Sequence, residues 1–258
     1  MSTILNQTPF WKPAILVALF YFVGQGQASA QTGEKPDPKA TEVWLPEPAR
    51  VLPSDVPDGP PSDAVVLIGK VFEADKWLSS KDSSISWLFS EGALTVKPRS
   101  GAIHTRDKFG SVQLHIEWLP PAKLEGEGQG RGNSGVFFMG EYELQILDSR
   151  VSKTYANGQA GSIYKQFAPL VNAMRPDGWQ IFDVVFNAPR FDAAGGLLQP
   201  ATMTAWHNGV LIQNNAVLGG GTAYVGKRKY KAHGPAPFIL QDHGNTTSFR
   251  NMWVRRLD

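Results

Sequence analysis

The sequence predicts an all-β protein whose main body is one sandwich of two antiparallel sheets. From Asp63 onward, short runs of β-branched and aromatic residues alternate with turn signals, which gives about a dozen strands. Aromatic residues make up 11% of the chain and charged residues only 19%, while 26 glycines and 19 prolines supply turns. No run with a 3.6-residue period is long enough for a substantial helix.

The strands can be followed along the chain by their alternation. Val112–Leu119 alternates apolar and polar residues, as expected for a half-buried strand. Asn208-Gly209 lies between two alternating runs and is a strong hairpin signal. Gly140-Glu141 is predicted to join a second hairpin. The remaining predicted strands are Ala64–Ile68, Ala93–Lys97, Gly135–Met139, Tyr142–Leu147, Trp179–Asn187, Thr202–His207, Val210–Gln213, Phe238–Asp242 and Ser248–Arg255.

The first 62 residues are predicted to lie outside the sandwich domain, which we place at 63–258. Residues 1–30 combine a cation at Lys12, the apolar run Pro13–Gly24 and the small residues Ala28-Ser29-Ala30, the pattern of a cleaved signal peptide. The apolar run is too short to span a bilayer, although an uncleaved anchor is the alternative. Residues 31–62 hold eight prolines and are predicted to form an extended arm or linker. We therefore expect a periplasmic or secreted protein that is free of the membrane after cleavage.

Composition excludes several classes of function. The chain has no cysteine, which excludes disulfides, thiol nucleophiles, cysteine-bound metals and a lipoprotein anchor. The net charge of +2 lacks the excess of positive charge that is typical of nucleic-acid-binding proteins. No histidine pair has metal-ligand spacing, so any metal would need distant residues with mainly oxygen ligands. G-x-S-x-G is also absent, which leaves an α/β-hydrolase nucleophile without support.

The polar residues of one strand, in the segment EYELQILD, are the first candidates for a site. Glu143 and Gln145 lie on the face opposite the apolar residues of this strand, and Asp148 joins them if the strand bulges near Leu147. Carboxylates aligned on a concave sheet are how sandwich glycosidases build acid–base pairs. A solvated outward stripe explains the same pattern equally well.

Two loops and one further strand add candidates. The glycine-rich segment GEGQGRGNSG allows close backbone approach, and its Arg131 and Asn133 can hydrogen-bond a polar ligand. Gln241 and His243 share one face at a strand end, where a histidine beside a carboxylate is a credible general base. His115 lies beside Glu117 on a polar strand face, where a structural role is favoured.

Taken in order, eight segments resemble the 3-keto-disaccharide hydrolase family, whose members are also described as 3-keto-glucoside 1,2-lyase or 3-keto-2-hydroxy-glucal hydratase domains. The resemblance covers residues 63–258, and the strings GNSG, YELQILDS, WHNGV and LQDHG are specific in that order. It implies a concanavalin A-like lectin/glucanase jelly roll with a concave carbohydrate face. The segments are VLIGKVFEADKW, WLFSEGALTV, FGSVQLHIEW, GNSGVFFMGEYELQILDS, AGSIYKQFAPLVNA, GWQIFDVVFNAPRF, TMTAWHNGVLIQ and LQDHGNTTSFRNMWVR.

The resemblance implies cleavage of a glycoside already oxidised at C3. A ketone at C3 acidifies the C2 proton, a base removes it, the C1 leaving group departs, and water then adds. An upstream sugar 3-oxidoreductase would supply the substrate, a small oxidised saccharide. A divalent cation could polarise the 3-keto group, although the sequence does not establish one. We expect Glu143 or His243 as the base, Asp148 or Glu117 as the acid or metal ligand, and Arg131, Asn133, Gln145, Tyr164 and Gln241 as hydroxyl-binding groups.

Two other functions remain open from the sequence. A conventional sandwich glycoside hydrolase would need a second carboxylate close to Glu143. A non-catalytic carbohydrate-binding module would need exposed aromatic rings and no titratable pair. The loop after Leu218 departs from the family pattern and carries a short basic run, Lys227–Lys231, which is either a solvated loop or the rim of an anion site.

Overall fold

The computed structural model describes residues 37–81, 84–123, 125–151 and 153–258. The predicted signal peptide, residues 1–30, lies outside the described residues, as does the start of the proline-rich arm. The chain divides into a unit of residues 1–48 and a unit of residues 49–258. In the first unit the described residues form one 3₁₀ turn, Pro38–Thr41, whose N-terminal Asp37 accepts a hydrogen bond from the backbone N–H of Lys39.

The second unit consists of short strands joined by turns. Three further 3₁₀ turns occur, at Ala74–Lys76, Gly128–Gly130 and Ala156–Gly158. The strands are β1 Val65–Ile68, β2 Trp77–Ser79, β3 Leu88–Ser90, β4 Ala93–Thr95, β5 Ile103–Thr105, β6 Val112–Leu119, β7 Ser134–Phe138, β8 Tyr142–Ile146, β9 Gln180–Asn187, β10 Arg190–Phe191, β11 Leu197–Gln199, β12 Thr202–His207, β13 Val210–Val217, β14 Ile239–Leu240 and β15 Ser248–Arg256.

Two antiparallel sheets form the sandwich. The eight-stranded sheet has the order β13-β12-β9-β6-β15-β4-β3, with β1 paired to β15. The five-stranded sheet has the order β2-β5-β14-β7-β8. Strands β10 and β11 form a separate small hairpin. The prediction of an all-β, antiparallel two-sheet sandwich is therefore confirmed, and both predicted hairpins are present as β7–β8 and β12–β13.

The turns of these hairpins follow from backbone chemistry. Asn208 and Gly209 both have positive φ, 53° and 81°, as a tight hairpin turn requires. In the β7–β8 hairpin the positive φ values fall on Met139 and Gly140 instead of the predicted Gly140-Glu141. The turn is thus one residue earlier than predicted, because Phe138 pairs with Tyr142 and closes the strands there.

The core lies between the two sheets and is rich in aromatic rings. The ring centre of Phe138, in the five-stranded sheet, lies 5.1 Å from that of Phe186 in the eight-stranded sheet. The ring centre of Tyr142 lies 5.4 Å from that of Phe186. Both sheets therefore direct one face inward and leave the other face for polar residues.

The compact unit begins at Ala49, earlier than the predicted domain start at residue 63. The backbone carbonyl of Asp58 accepts hydrogen bonds from Asn251 Nδ2 at 2.9 Å and from Trp253 Nε1 at 3.0 Å. The end of the proline-rich segment thus lies over the polar face of the eight-stranded sheet. Among the described residues, no helix is long and apolar enough to cross a bilayer.

Candidate active site

A cavity of about 500 Å³ lies on the polar face of the five-stranded sheet. Strands β7 and β8 supply its floor, because their residues alternate between the core and this cavity. The loops around the sheet supply its walls. The lining residues are Gln129, Asn133, Phe137, Glu143, Gln145, Tyr155, Tyr164, Lys165, Thr222, Tyr224, Gln241 and His243.

Backbone pairing holds these loops against the strands. The backbone N–H of Gln241 donates to the carbonyl of Gly135 at 3.0 Å, and the N–H of Tyr164 donates to the carbonyl of Glu143 at 3.1 Å. On the outer edge of β8, the N–H of Glu143 donates to Thr222 Oγ1 at 3.0 Å. The backbone of Glu143 is therefore held by both neighbouring loops, through its N–H and through its carbonyl.

Glu143 is the central titratable group of the cavity. Its side chain is almost completely buried, with 4% of the residue exposed. Among the described residues, no group forms a hydrogen bond or ion pair with its carboxylate. Burial without a compensating partner raises the pKa of Glu143 to about 8. This carboxyl group therefore changes its charge close to neutral pH.

The space that Glu143 occupies exists because the facing residue is a glycine. A Cβ at Gly135 would lie 2.5 Å from Glu143 Oε1 and 3.1 Å from its Cγ. The carboxylate thus lies directly over the backbone of β7. Any larger residue at position 135 would displace it.

Side-chain amides line one side of the cavity. Gln145 Nε2 donates to Asn133 Oδ1 at 3.2 Å, and Asn133 Nδ2 donates to the carbonyl of Gln129 at 2.7 Å. Gln241 Oε1 is buried and has no hydrogen-bond partner among the described residues. A buried acceptor without a partner is costly, so this oxygen is suited to receive a hydroxyl from a ligand.

Three tyrosines and a lysine line the other side. Tyr155 and Tyr164 hydrogen-bond through their hydroxyls at 2.7 Å, and Lys165 Nζ donates to the carbonyl of Tyr224 at 2.9 Å. Burial and the bond to Tyr155 raise the pKa of Tyr164, so its hydroxyl stays neutral. Together with the amides, these rings give the cavity the mixed polar and aromatic surface that sugars require.

Six of the predicted site residues line this one cavity. Sequence reasoning missed the other lining groups, including Gln129, Tyr155, Lys165 and Tyr224. These residues lie in irregular loops, where alternation carries no information about which side chains face inward. The predicted residues that the structure brings together are Asn133, Glu143, Gln145, Tyr164, Gln241 and His243.

Asp148 and Arg131 do not line the cavity. Asp148 is fully buried and accepts hydrogen bonds from Arg131 Nε at 2.8 Å and Arg150 Nε at 2.7 Å. Burial alone would raise the pKa of Asp148, but the two guanidinium groups outweigh it and lower the pKa. An ionised carboxylate held by two arginines is not placed to donate a proton, so the predicted acid role of Asp148 is corrected to a structural one.

Glu117 belongs to the other sheet. Its Oε2 accepts from Arg250 Nε at 2.6 Å, and its Oε1 accepts from Asn251 Nδ2 at 2.9 Å. Both oxygens are therefore already used on the polar face of the eight-stranded sheet. We correct the prediction of Glu117 as a metal ligand or acid, because alternation along a strand cannot show which sheet carries the site.

The cavity does not form a ready-made metal centre. Within the described residues, no three histidine or carboxylate groups converge as metal ligands. The cavity itself offers Glu143, His243 and neutral amide oxygens, which is a poor donor set for a tightly held divalent cation. We therefore derive no chemical step through a metal ion.

Comparison with known proteins gives the family. The model of the 3-keto-alpha-glucoside-1,2-lyase-like domain matches residues 63–255. A solved structure of a candidate glycosyl hydrolase from Parabacteroides distasonis ATCC 8503 is 42% identical, covers 86% of this chain and 97% of that chain, and has a TM-score of 0.81. A second candidate glycosyl hydrolase from that organism is 19% identical, covers 76% of this chain and 94% of that chain, and has a TM-score of 0.56, which shows the fold alone. The comparison with curated proteins found no match.

The family model spans most of the chain, and the cavity lies inside the matched region. The segments that carry Glu143, Tyr164 and Gln241 are among those on which the sequence resemblance rested. The chain therefore belongs to the family of 3-keto-alpha-glucoside-1,2-lyase-like domains.

Proposed function

We propose that the protein is an exported enzyme that cleaves 3-keto-glycosides by elimination and hydration. The C2 proton is removed, the C1 oxygen leaves with its substituent, and water then adds at C1 while a proton returns to C2. The net result is hydrolysis of the glycosidic bond. This reaction needs one well-placed base and groups that hold a sugar, and it needs no nucleophile for an oxocarbenium ion.

The observation that carries the proposal is the single, unpaired carboxyl of Glu143 on the cavity floor. A general base that removes a proton from carbon beside a ketone works best when its pKa lies near the working pH. Burial raises the pKa of Glu143 to about 8, which makes its ionised form a stronger base at the pH where it exists. The protonated form can then return the proton to C2 when water adds.

The other lining groups have roles that follow from their chemistry. Gln241 Oε1 and the amides of Gln145 and Asn133 can bind the sugar hydroxyls. His243 lies on the wall of the same cavity and can protonate the departing oxygen. Tyr164 remains a neutral hydroxyl donor beside Glu143.

A conventional glycoside hydrolase is the second candidate, and the cavity argues against it. Such enzymes use two carboxyl groups, about 5–5.5 Å apart when retaining and about 6.5–9.5 Å apart when inverting. Among the described residues that line the cavity, Glu143 is the only carboxylate. A purely carbohydrate-binding module would not need a buried, unpaired carboxyl, which costs folding stability.

The experiment compares oxidised and unoxidised substrates. The purified protein is given both anomers of 4-nitrophenyl 3-keto-glucoside and of 4-nitrophenyl glucoside, with and without added divalent cations. We expect release of nitrophenol from a keto substrate only. In D₂O, we expect deuterium at C2 of the product. Release from the unoxidised glucosides would instead support the glycoside hydrolase, and no release from any of them would reject catalysis.

The route by which the protein meets its substrate is part of the proposal. A ketone at C3 of a glycoside must come from a sugar 3-oxidoreductase, so we expect such an enzyme to act before this one. Cell fractionation tests export. A mature N-terminus at Gln31 in the periplasm or medium is expected, and recovery of the intact N-terminus with the membrane would contradict it.

A further inference from the structure

A positively charged group lies among the tyrosines of the cavity, and the proposed chemistry does not use it. We call Tyr155, Tyr164, Lys165 and Tyr224 the tyrosine–lysine cluster. Lys165 Nζ lies 4.0 Å from the ring centre of Tyr224, 5.4 Å from that of Tyr155 and 5.8 Å from that of Tyr164. The three rings thus fix the position of the ammonium group at the cavity wall.

Within the part of the chain that the structure describes, the ammonium of Lys165 has no anionic partner. None of the ion pairs of the described residues includes Lys165. Its hydrogen bond to the carbonyl of Tyr224 uses one of its three donors. Two donors and a full positive charge therefore remain available to a ligand.

The backbone at Lys165 has a conformation that favours glycine. Its φ is 55°, and its N–H donates to the carbonyl of Asn157 at 2.8 Å. A long side chain at such a position carries a conformational cost that glycine would avoid.

The cluster lies towards the mouth of the cavity. Tyr224 is 72% exposed and Tyr155 is 39% exposed, whereas Glu143 is 4% exposed. Tyr155 and Tyr224 therefore lie nearer to solvent than the carboxyl of Glu143 does. The loop that carries Tyr224 adds Lys227, Arg228, Lys229 and Lys231, and residues 219–236 include no acidic residue.

We propose that the tyrosine–lysine cluster binds the leaving group, and that Lys165 selects leaving groups that carry a carboxylate. This inference rests on the proposed function, because it places the keto-sugar over Glu143. The rings of Tyr155 and Tyr224 would stack on the leaving group, while the ammonium pairs with its negative charge. The basic loop would attract such substrates from solution, so the preference should weaken with salt.

The experiment uses matched pairs of leaving groups that differ in charge. 4-Carboxyphenyl and 4-carbamoylphenyl 3-keto-glucosides have the same shape, and a second pair with glucuronate or glucose as the leaving group distinguishes a sugar acid from an aromatic acid. For the wild type we expect about tenfold higher kcat/KM for the charged member of at least one pair at low salt. The ratio should fall to about one in Lys165→Gln and Lys165→Gly, and Lys165→Arg should retain most of it.

Comparison of Lys165→Gly with Lys165→Gln distinguishes an effect on leaving-group binding from an effect on folding stability. Lys165→Gly relieves the backbone strain, so its melting temperature should not fall below that of Lys165→Gln. A wild-type ratio near one for both pairs would overturn the inference, as would a ratio that survives in Lys165→Gln. Equal losses for charged and neutral substrates in all three variants would instead assign Lys165 a purely structural role.

Failure of the proposed function can be recognised separately. Binding of the unoxidised 4-carboxyphenyl and 4-carbamoylphenyl glucosides is measured by calorimetry on the same variants. A charge preference that depends on Lys165 would support the subsite even if no keto substrate is cleaved. Turnover of the keto substrates without any charge preference would retain the function and reject the subsite.

Discussion

The polar faces of the two sheets carry similar residues in opposite arrangements. On the eight-stranded sheet, Glu117 accepts hydrogen bonds from Asn251 and Arg250 and lies 3.8 Å from the His115 imidazole. These groups outweigh burial and lower the pKa of Glu117 to about 2. On the five-stranded sheet, Glu143 has no such partner, and burial raises its pKa to about 8. The pKa values of two glutamates on outward strand faces are thus shifted in opposite directions.

In the paired cluster, His115 faces Asp183, and Glu117 faces Arg250. His115 Nδ1 and Asp183 Oδ1 are 2.7 Å apart, and the imidazole stacks on Trp253 with ring centres 5.3 Å apart. Burial alone would lower the pKa of His115, but its bonds to Asp183 and Glu117 raise it to about 9. The segment around Asp58 covers this face. A cluster whose charges are paired contributes to folding and offers no unpaired carboxylate as a base.

The difference separates structural from functional carboxylates. A paired carboxylate stabilises the fold, whereas an unpaired one lowers stability and persists where the site needs it. Substitution of the two glutamates should therefore have opposite consequences. The predictions that follow test this contrast, starting from the largest effect.

Glu143→Gln should abolish catalysis and leave the fold intact. Glutamine has nearly the same shape but cannot accept the C2 proton, so kcat should fall by about 10³-fold, a typical contribution of a general base. The measurement is nitrophenol release from the 3-keto-glucoside, with circular dichroism to check the fold. Glu141→Gln is the matched control, because Glu141 is exposed and does not line the cavity. More than a tenth of wild-type activity in Glu143→Gln would reject Glu143 as the base.

The stability of the wild type should fall with rising pH because of Glu143. Its pKa is raised from 4.5 to about 8, so the folded state holds the proton that the unfolded state has lost. Stability is therefore unaffected below pH 4.5 and falls progressively as pH rises, by roughly 4 kcal/mol at pH 8. In Glu143→Gln this decline should disappear, and the variant should be more stable than the wild type at pH 8. Urea unfolding across this range measures the difference.

Subtracting the stability curve of Glu143→Gln from that of the wild type separates the contribution of Glu143 from that of His115. The raised pKa of His115 adds stability below pH 6.5 that is lost as pH rises through about 9, and this occurs in both proteins. Parallel curves for wild type and Glu143→Gln between pH 4.5 and 8 would contradict an unpaired buried carboxyl.

Glu117→Gln should destabilise the protein while catalysis continues. The change removes the charge that pairs with Arg250 and His115, and we expect a loss of about 1–2 kcal/mol, because the Arg250 side chain remains partly in water. The lowered pKa of Glu117 means that this stability exists above pH 4.5 and is lost as pH falls towards 2. Urea unfolding at pH 7 and pH 3 should show a clearly smaller difference at the lower pH. Loss of activity without loss of stability would place Glu117 in the site.

The fold could be predicted from the sequence, and so could the strand face on which each glutamate lies. The partners that distinguish the two glutamates could not. Alternation along Val112–Leu119 and along Tyr142–Ile146 placed each glutamate on the strand face opposite the apolar residues. In the structure Glu143 lines the cavity and Glu117 contacts Arg250, and both side chains are buried. Alternation cannot show what covers a face, because the partners of Glu117 come from β9 and β15, far along the chain. The arginine pair around Asp148 was hidden for the same reason. Gln241 and His243 were found because they follow a recognisable strand, whereas Lys165 lies in an irregular loop.

Gly135→Ala should produce the smallest effect and is the most direct test of how Glu143 is positioned. The added methyl would lie 2.5 Å from Glu143 Oε1, so the flexible carboxylate must move while the backbone of β7 stays in place. Gly135 does not have positive φ, so alanine introduces no backbone strain and stability should change by less than about 1 kcal/mol. Displacement of the base from C2 should lower kcat about tenfold, since catalysis depends on reach at the scale of a hydrogen bond. Gly234→Ala, where an added Cβ meets no atom, is the control. Unchanged activity in Gly135→Ala would show that the carboxylate does not need the space over β7, and would weaken the assignment of Glu143 as the base.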